Sequence, residues 1–148
     1  MYAILGVCFT HMYTFESLTE GAHITGEYAI TDGVYEGFLR AFDDTSRIHV
    51  DDAYARERGF KGRVMHGAIL NGFISHFVGM RVAGENGFLQ SADIQYKNPN
   101  YLGDAITIDA EVVQKVEAVK VIVMKLVLRN TTHGTIAATA SVHIGFFV

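Results

Sequence analysis

The chain has 148 residues, of which 49% are hydrophobic and 19% charged, with 15 glycines and one proline. This composition excludes disordered, collagen-like and coiled-coil proteins, and the length fits one domain with a sizeable core. The net charge of −4 provides no overall positive field for nucleic acid or an anionic membrane. We therefore expect a single globular domain over residues 1–148 that binds neither nucleic acid nor a membrane.

The first eleven residues differ in character from the rest of the chain. The run from Tyr2 to Phe9 is apolar, but it is too short to span a membrane and lacks the basic residues of a signal peptide. We expect a tail or an extra strand here, and both Met1 and Met12 fit as the natural start. The one cysteine, Cys8, cannot form an internal disulfide, which favours a reducing, cytoplasmic location.

Three helices are predicted in the first half of the chain. Residues 31–42 carry apolar side chains at the spacing of an amphipathic helix. Residues 66–82 are apolar nearly all round, which is typical of a buried helix. Between them, Asp51 and Asp52 are expected to begin a short helix over 52–58, because acidic side chains favour the positive end of the helix dipole.

The second half of the chain changes to a period of two, which indicates strands. The predicted strands are 22–30, 89–96, 106–112, 119–128 and 136–146. Helices followed by strands with short connections predict an α+β domain. In this domain a curved antiparallel sheet of about five strands is expected to wrap around one long central helix.

Asp44 and His49 are the main candidates for chemistry. They lie in the segment Asp43-Asp44-Thr45-Ser46-Arg47-Ile48-His49, and Val64-Met65-His66-Gly67 follows directly before the apolar helix. A carboxylate and an imidazole that share one water molecule can act as base and acid. Gly67 is a candidate oxyanion donor, because N–H groups at a helix start have no partner within the helix and glycine permits close approach. No Cys or His cluster has the spacing of zinc ligands, so no metal is expected.

These two segments resemble the MaoC-like hydratases, the (R)-specific enoyl-CoA hydratases. The family signature is Gly-Asp-x-Asn-Pro-aliphatic-His, followed after a short helix by Val-x-His-Gly. The resemblance extends from about Thr14 to the C-terminus, since the segments 96–99 and 101–104 also look like the family's strand end and Gly-Asp turn. It departs from the signature at three positions: Asp43 replaces Gly, Ser46 replaces Asn, and Arg47 replaces Pro.

The resemblance implies a hot dog fold and the reversible hydration of a trans-2-enoyl-CoA to an (R)-3-hydroxyacyl-CoA. CoA would be part of the substrate, with no metal or organic cofactor. Asp44 and His49 would hold the water, and the Gly67 N–H would polarise the thioester carbonyl. Substrate contacts are expected from Ser46, Arg47, Arg63, His66 and Lys97. A homodimer or higher homo-oligomer is also implied, because a single open sheet leaves an edge strand unpaired.

Two other functions stay open. A thioesterase of the same architecture, like the dehydratases of acyl carrier protein, relies on an acidic residue on the central helix, but residues 67–82 contain no Asp or Glu. A non-catalytic acyl-CoA-binding subunit would follow if Ser46 and Arg47 disabled the site. Arg47 could also select an acyl group that bears a carboxylate. The length of the acyl group then depends on how six side chains pack: Tyr28, Tyr35, Phe38, Phe73, Phe88 and Leu89.

Overall fold

A five-stranded antiparallel sheet is the frame of the molecule, which is described over residues 12–147 by a computed structural model. The strands are β1 His23–Ala29, β2 Gly87–Tyr96, β3 Ala105–Val116, β4 Val121–Asn130 and β5 Thr135–Phe146. Their order across the sheet is β1-β3-β4-β5-β2, so β1 and β2 form its edges. All five predicted strands are present, with ends that differ by a few residues from the predicted ones.

The central strand β4 shows why these segments form a sheet with one buried face. Met124, Leu126 and Leu128 are buried, whereas the residues between them are more exposed. Pairing places Ala110 of β3 opposite Leu126 and Val142 of β5 opposite Met124. Since side chains alternate between the faces, a shift of one residue would turn this whole apolar row towards solvent.

The sheet is curved, as predicted. The pairing shifts register at residues 89–91 of β2, at 112–114 of β3 and at 128–129 of β4. Such irregularities increase the local twist and bend the strand that carries them. The sheet therefore wraps around the helix on its inner face.

Four α-helices accompany the sheet in the described residues. They are α1 Asp32–Phe42, α2 Arg47–Val50, α3 Asp52–Glu57 and α4 Ala68–Phe77, and α4 continues into a π-helical turn over Val78–Val82. Single 3₁₀ turns span Gly84–Asn86 and Glu117–Val119. The sequence patterns indicate α1, α3 and α4, whereas the one-turn helix α2 was not predicted. Its four residues are too few to show a helical period.

The central helix α4 is buried on one face only. Its inward side chains enter the core against the sheet: Ile69, Leu70, Phe73, Ile74 and Phe77. A Cβ at Gly26 of β1 would lie 2.9 Å from the Phe77 ring, so glycine is what lets this strand approach the helix. The opposite face carries Ala68, Asn71, Gly72 and Ser75, which are exposed. The arrangement is the hot dog fold that the resemblance implied.

A buried polar network ties the strand ends to the segment before α4. The Asn130 amide is fully buried and donates to Asn100 Oδ1 at 3.0 Å and to Asp104 Oδ2 at 2.6 Å. Asp104 also accepts the N–H of Tyr101 at 2.8 Å. The carbonyl of Asn100 in turn accepts the N–H of Met65 at 2.9 Å. One amide side chain therefore helps to fix the backbone just upstream of Gly67.

We expect Asn130→Ala to lower the free energy of unfolding by about 2–4 kcal/mol, because it removes a buried donor from the Asp104 carboxylate. Urea denaturation measures this change. Asn98→Ala is the matched control, since the Asn98 amide makes one exposed bond to the Ile136 carbonyl. Its expected cost is below about 1 kcal/mol. Equal losses in the two variants would contradict the role of the network.

The tail or extra strand expected for residues 1–11 lies outside the described residues, as does Cys8. Within residues 12–147, no helix combines the length and the apolar character that crossing a membrane requires.

Candidate active site

His49 lies in α2 and is held by the backbone of the segment before α4. Its Nδ1 bonds to the carbonyl oxygen of Val64 at 2.7 Å, and the Val64 N–H donates to the Ile48 carbonyl at 2.9 Å. Because a carbonyl oxygen only accepts, Nδ1 must carry the ring proton. The lone pair of a neutral His49 is therefore on Nε2, where it can accept a proton.

Asp44 follows directly after the end of α1. Asp43 ends this helix in the left-handed region with φ 52°, and its N–H donates to the Leu39 carbonyl at 2.8 Å. Glycine is the usual residue in this conformation and aspartate is one of the few that tolerate it, which explains how Asp43 replaces the signature glycine. The Asp44 carboxylate is half exposed and accepts the Ser46 N–H at 3.3 Å.

His66 connects the loop of Asp44 to the start of α4. It is 3% exposed, and its Nε2 donates to the backbone carbonyl of Asp44 at 2.8 Å. The ring centre of His66 lies 4.0 Å from that of His49 and 4.5 Å from that of Phe38. Its Nδ1 is buried and has no hydrogen-bond partner among the described residues. The imidazole thus holds the backbone of one candidate residue and packs on the ring of the other.

The three polar side chains offer ligand atoms that lie within 4.8 Å of one another. Asp44, His49 and His66 could therefore hold a divalent cation, because carboxylate oxygen and imidazole nitrogen are common ligands of first-row metals. Spacing along the chain did not indicate this cluster, which only the fold assembles. That the protein needs no metal stays a prediction.

Gly67 directly precedes the first residue of α4, so its N–H has no acceptor within the helix. The ring of Tyr96 lies over it: a Cβ at position 67 would be 3.1 Å from two ring carbons. The Tyr96 hydroxyl donates to Asn71 Oδ1 at 2.7 Å, and partial burial raises the pKa of Tyr96. The glycine is thus required for the close approach of Tyr96, in addition to its predicted role as a donor.

Comparison with known proteins identifies the family of the chain. The model of a family described as MaoC like domain matches residues 21–134 of the 148. The chain belongs to the MaoC-like domain family. It is similar to an (R)-specific enoyl-CoA hydratase of Rhodospirillum rubrum, with 30% identity over 96 residues that cover 65% of the chain and 67% of the relative. A 3-hydroxybutyryl-CoA dehydratase of Methylorubrum extorquens is 27% identical over 100 residues, which are 68% of the chain and 64% of that relative.

Solved structures share the fold of this MaoC-like chain. An unliganded R-hydratase from Pseudomonas aeruginosa superposes with a TM-score of 0.80 at 22% identity, over 90% of the chain and 84% of that structure. An (R)-hydratase from Aeromonas caviae gives 0.79 at 20% identity, over 89% of the chain and 99% of the structure. At these identities the likeness establishes the hot dog architecture.

Arg47, at the position of the family's proline, is engaged with neighbours on its own segment. It donates to Asp51 Oδ2 at 2.7 Å and lies 4.3 Å from the ring centre of Tyr54, which Arg58 also contacts at 3.4 Å. The Tyr54 N–H and the Arg47 guanidinium hold the pKa of Asp51 below its usual range. Substrate binding by Arg47 stays a prediction, and it would compete with this ion pair.

Ser46 and Arg63 both lie next to the candidate site. Ser46 is the N-cap of α2, but its side chain makes no capping bond there. The Arg63 guanidinium lies 4.8 Å from the ring centre of Tyr35, whose hydroxyl donates to the carbonyl of His49 at 2.9 Å. Arg63 therefore contacts Tyr35, which in turn contacts the catalytic candidate His49. The substrate contacts predicted for Ser46, Arg63 and His66 stay predictions.

Lys97 lies just after β2 and bonds to Gln95 Oε1 at 2.8 Å. Tyr96 between them faces Gly67, and neighbouring residues of an extended strand point to opposite faces. The side chain of Lys97 is thus on the opposite face of the sheet from Tyr96 and the Gly67 donor. Its predicted contact with substrate stays a prediction.

Three contributions to the site were not predicted: the Val64 carbonyl that holds His49, the bond from the Tyr35 hydroxyl to the His49 carbonyl, and the packing of Tyr96 over Gly67. The first is a backbone atom and leaves no trace in residue type. Tyr35 was expected only as a side chain whose packing affects the length of the acyl group. Tyr35 is 5% exposed on α1, and a buried phenol needs a hydrogen-bond partner, so its presence on an apolar helix face was a usable signal. Tyr96 lies in the strand-end motif that was recognised, but the motif alone does not show which side chain faces the helix.

We expect the neutral forms of the two histidines to be opposite tautomers. His49 should carry its proton on Nδ1 and His66 on Nε2, because each bonds to a carbonyl through that nitrogen. Nitrogen NMR of the imidazoles distinguishes the two forms, and His49→Gln and His66→Gln assign the signals. Exposed His143 serves as the unconstrained reference. A proton on Nε2 of His49 would contradict the arrangement.

Proposed function

We propose that the protein catalyses the reversible hydration of a trans-2-enoyl-CoA to an (R)-3-hydroxyacyl-CoA. The observation that carries this proposal is the convergence of the Asp44 carboxylate and the His49 imidazole beside the α4 N-terminus, where the Gly67 N–H has no acceptor within the helix. Membership of the MaoC-like family and the names of the curated relatives support it. The chain spans about two thirds of the length of those relatives.

In the proposed reaction, Asp44 and His49 hold one water molecule between them. One group takes a proton from the water as its oxygen forms a bond to C3 of the enoyl group. The electron pair of the C2–C3 double bond moves towards the thioester carbonyl, whose oxygen gains negative charge. The Gly67 N–H stabilises this charge, and the second group then delivers a proton to C2.

His66 acts in this scheme as a positioning residue. Its ring is buried and donates to the backbone carbonyl of Asp44, so it fixes the backbone position from which the Asp44 side chain extends. Ring packing on His49 restricts that imidazole as well. Small displacements of reacting groups cost about 100-fold in rate, so such fixation is part of catalysis.

The expected result of Asp44→Asn, and separately of His49→Gln, is a fall in kcat/KM of at least about 100-fold, because each change removes a proton-transfer group. The measurement is the loss of enoyl absorbance with trans-2-enoyl-CoA substrates, with chiral analysis of the product. Asp43→Asn is a matched control, since Asp43 is the exposed C-cap of α1 and asparagine also tolerates its conformation. His143→Gln controls for loss of a histidine.

Activity that survives both catalytic substitutions would reject the assignment of the pair. Release of free CoA from saturated acyl-CoA would instead identify a thioesterase. Saturable acyl-CoA binding without turnover would identify a binding subunit, the function in which Ser46 and Arg47 have disabled the site.

The proposal includes a homo-oligomer, at least a dimer, in a cytoplasmic setting. Support comes from β2, an edge strand whose outer backbone groups lack a partner strand among the described residues and which exposes Phe88 and Tyr96. Light scattering tests this part of the proposal and should give at least twice the monomer mass of 16.3 kDa. Replacing Ala92, near the middle of β2, with proline should lower that mass, because proline blocks strand pairing. A monomer in the unchanged protein would contradict the proposal.

A further inference from the structure

The side chain of Tyr96 spans the first turn of α4. Its ring lies against Gly67, where an added Cβ would be 3.1 Å from two ring carbons and 3.2 Å from a third. Its hydroxyl donates to Asn71 Oδ1 at 2.7 Å. Gly67 and Asn71 are four residues apart and therefore lie on the same face of the helix, one turn from each other. One side chain thus contacts both ends of the turn that carries the Gly67 N–H.

The helix α4 begins without a capping side chain. Gly67 is its N-cap residue and has no side chain that could accept an N–H of the first turn. Helix ends without such support fray. A capping side chain would place an acceptor oxygen at this end of the helix, beside the N–H that is proposed to face the thioester carbonyl. The first turn therefore needs support that leaves its backbone donors available.

The contact with Tyr96 meets this requirement. The ring packs on the side of Gly67 where a Cβ would be, and the hydroxyl binds the side chain of Asn71, so neither contact uses a backbone N–H of the helix start. Partial burial raises the pKa of Tyr96, so the hydroxyl stays protonated at neutral pH and can donate.

Tyr96 is itself fixed by the sheet. It pairs with Ala138 of β5, and the N–H of the next residue, Lys97, donates to the Ala137 carbonyl at 2.9 Å. Half of the Tyr96 side chain is exposed, so the residue is not part of the hydrophobic core. The ring thus connects the end of β2 to the start of α4.

The residues before Gly67 are held by other bonds. The N–H of Met65 donates to the Asn100 carbonyl, and the His66 ring donates to the Asp44 carbonyl. Gly67 has no side chain for such a bond, and its own carbonyl accepts the Leu70 N–H at 2.9 Å within the helix. The direction of the Gly67 N–H therefore depends on the first turn of α4, on which Tyr96 packs.

We propose that Tyr96 is a positioning residue, which holds the first turn of α4 so that the Gly67 N–H points at the carbonyl oxygen of the bound thioester. The inference rests on the proposed function and extends it to the residue that orients the oxyanion donor. Tyr96 acts through Gly67 and Asn71 and takes no part in proton transfer. A hydrogen bond weakens steeply as its angle is distorted, so a small rotation of the turn lowers the rate.

Kinetics with a trans-2-enoyl-CoA test this role. Tyr96→Phe, which removes only the hydroxyl, should lower kcat by at least about fivefold, and Tyr96→Leu, which also removes the ring, by about 100-fold. KM should change by less than about threefold, because the oxyanion develops in the transition state and not in the bound substrate. Asn71→Ala should match Tyr96→Phe. The double variant should be no slower than either single one, since both substitutions break the same bond.

Tyr13→Phe is the matched control for the loss of a hydroxyl. The Tyr13 N–H donates to the Val82 carbonyl at 2.8 Å, at the opposite end of the central helix from Gly67. Its kcat should equal that of the unchanged protein, and thermal unfolding checks that every variant folds. A kcat of Tyr96→Leu equal to that of Tyr13→Phe would overturn the proposal. A KM that rises at constant kcat would also overturn it, because Tyr96 would then be a substrate contact.

Infrared spectroscopy measures the carbonyl directly and requires no turnover. Butyryl-CoA with an isotopic label in its thioester carbonyl has no double bond to hydrate, and a donated hydrogen bond lowers the stretching frequency of that carbonyl. The frequency should be lowest with the unchanged protein, higher with Tyr96→Phe and highest with Tyr96→Leu. If Tyr96 served stability alone, the substitutions would lower the unfolding temperature and leave the frequency unchanged, which would overturn the proposal.

These outcomes are distinct from those that test the hydratase. A frequency that depends on Tyr96, in a protein that hydrates no enoyl-CoA, would retain the positioning role and reject the proposed reaction. A carbonyl that is unshifted in a protein with hydratase activity would reject Gly67 as the donor and Tyr96 as its positioning residue, while leaving Asp44 and His49 in their roles.

Discussion

Two hydrogen bonds from imidazole rings to backbone carbonyls hold the candidate site together. His49, after α1, donates to the carbonyl of Val64, and His66, before α4, donates back to the carbonyl of Asp44. Each segment thus supplies a donor to the other, and separating the segments would break both bonds. Because the rings also pack on each other, the two bonds share one rigid unit. The position of the acid and the base relative to α4 depends on this reciprocal contact.

The contact extends into the fold through the backbone. The N–H of Met65 is held by Asn100, and Asn100 belongs to the buried network of Asn130 and Asp104 at the ends of β3 and β4. The start of α4 is therefore fixed from the sheet on one side and from the Asp44 loop on the other. Functional groups placed on such supported elements keep their geometry better than groups on free loops. This allows Asp44 to remain half exposed and still have a defined position.

The features that follow from side-chain alternation were predictable from the sequence. Five strands, α1 and α4 were indicated by repeated apolar patterns, α3 by the acidic residues at its start, and Asp44 and His49 have the spacing of a known signature. The bonds to the Val64 and Asp44 carbonyls were not predictable, because backbone acceptors have the same chemistry at every residue. The cluster of Asp44, His49 and His66 also depends on distant segments meeting in the fold. The open face of α4 was missed because alanine and glycine look compatible with burial in a sequence pattern.

The open face of α4 is informative because the glycines beside it lower the stability of their helices. Glycine within a helix is less favourable than alanine by about 1 kcal/mol, and Gly37 and Gly72 receive no compensation from tight packing or unusual backbone angles. Larger apolar residues at both positions would stabilise the helices and fill the space between them. Gly26, in contrast, is explained by the Phe77 ring that covers it. Gly37 and Gly72 differ from it in that a Cβ at either position would meet no heavy atom of the described residues, so their effect is to leave the space between α1 and α4 open beside the Gly67 donor.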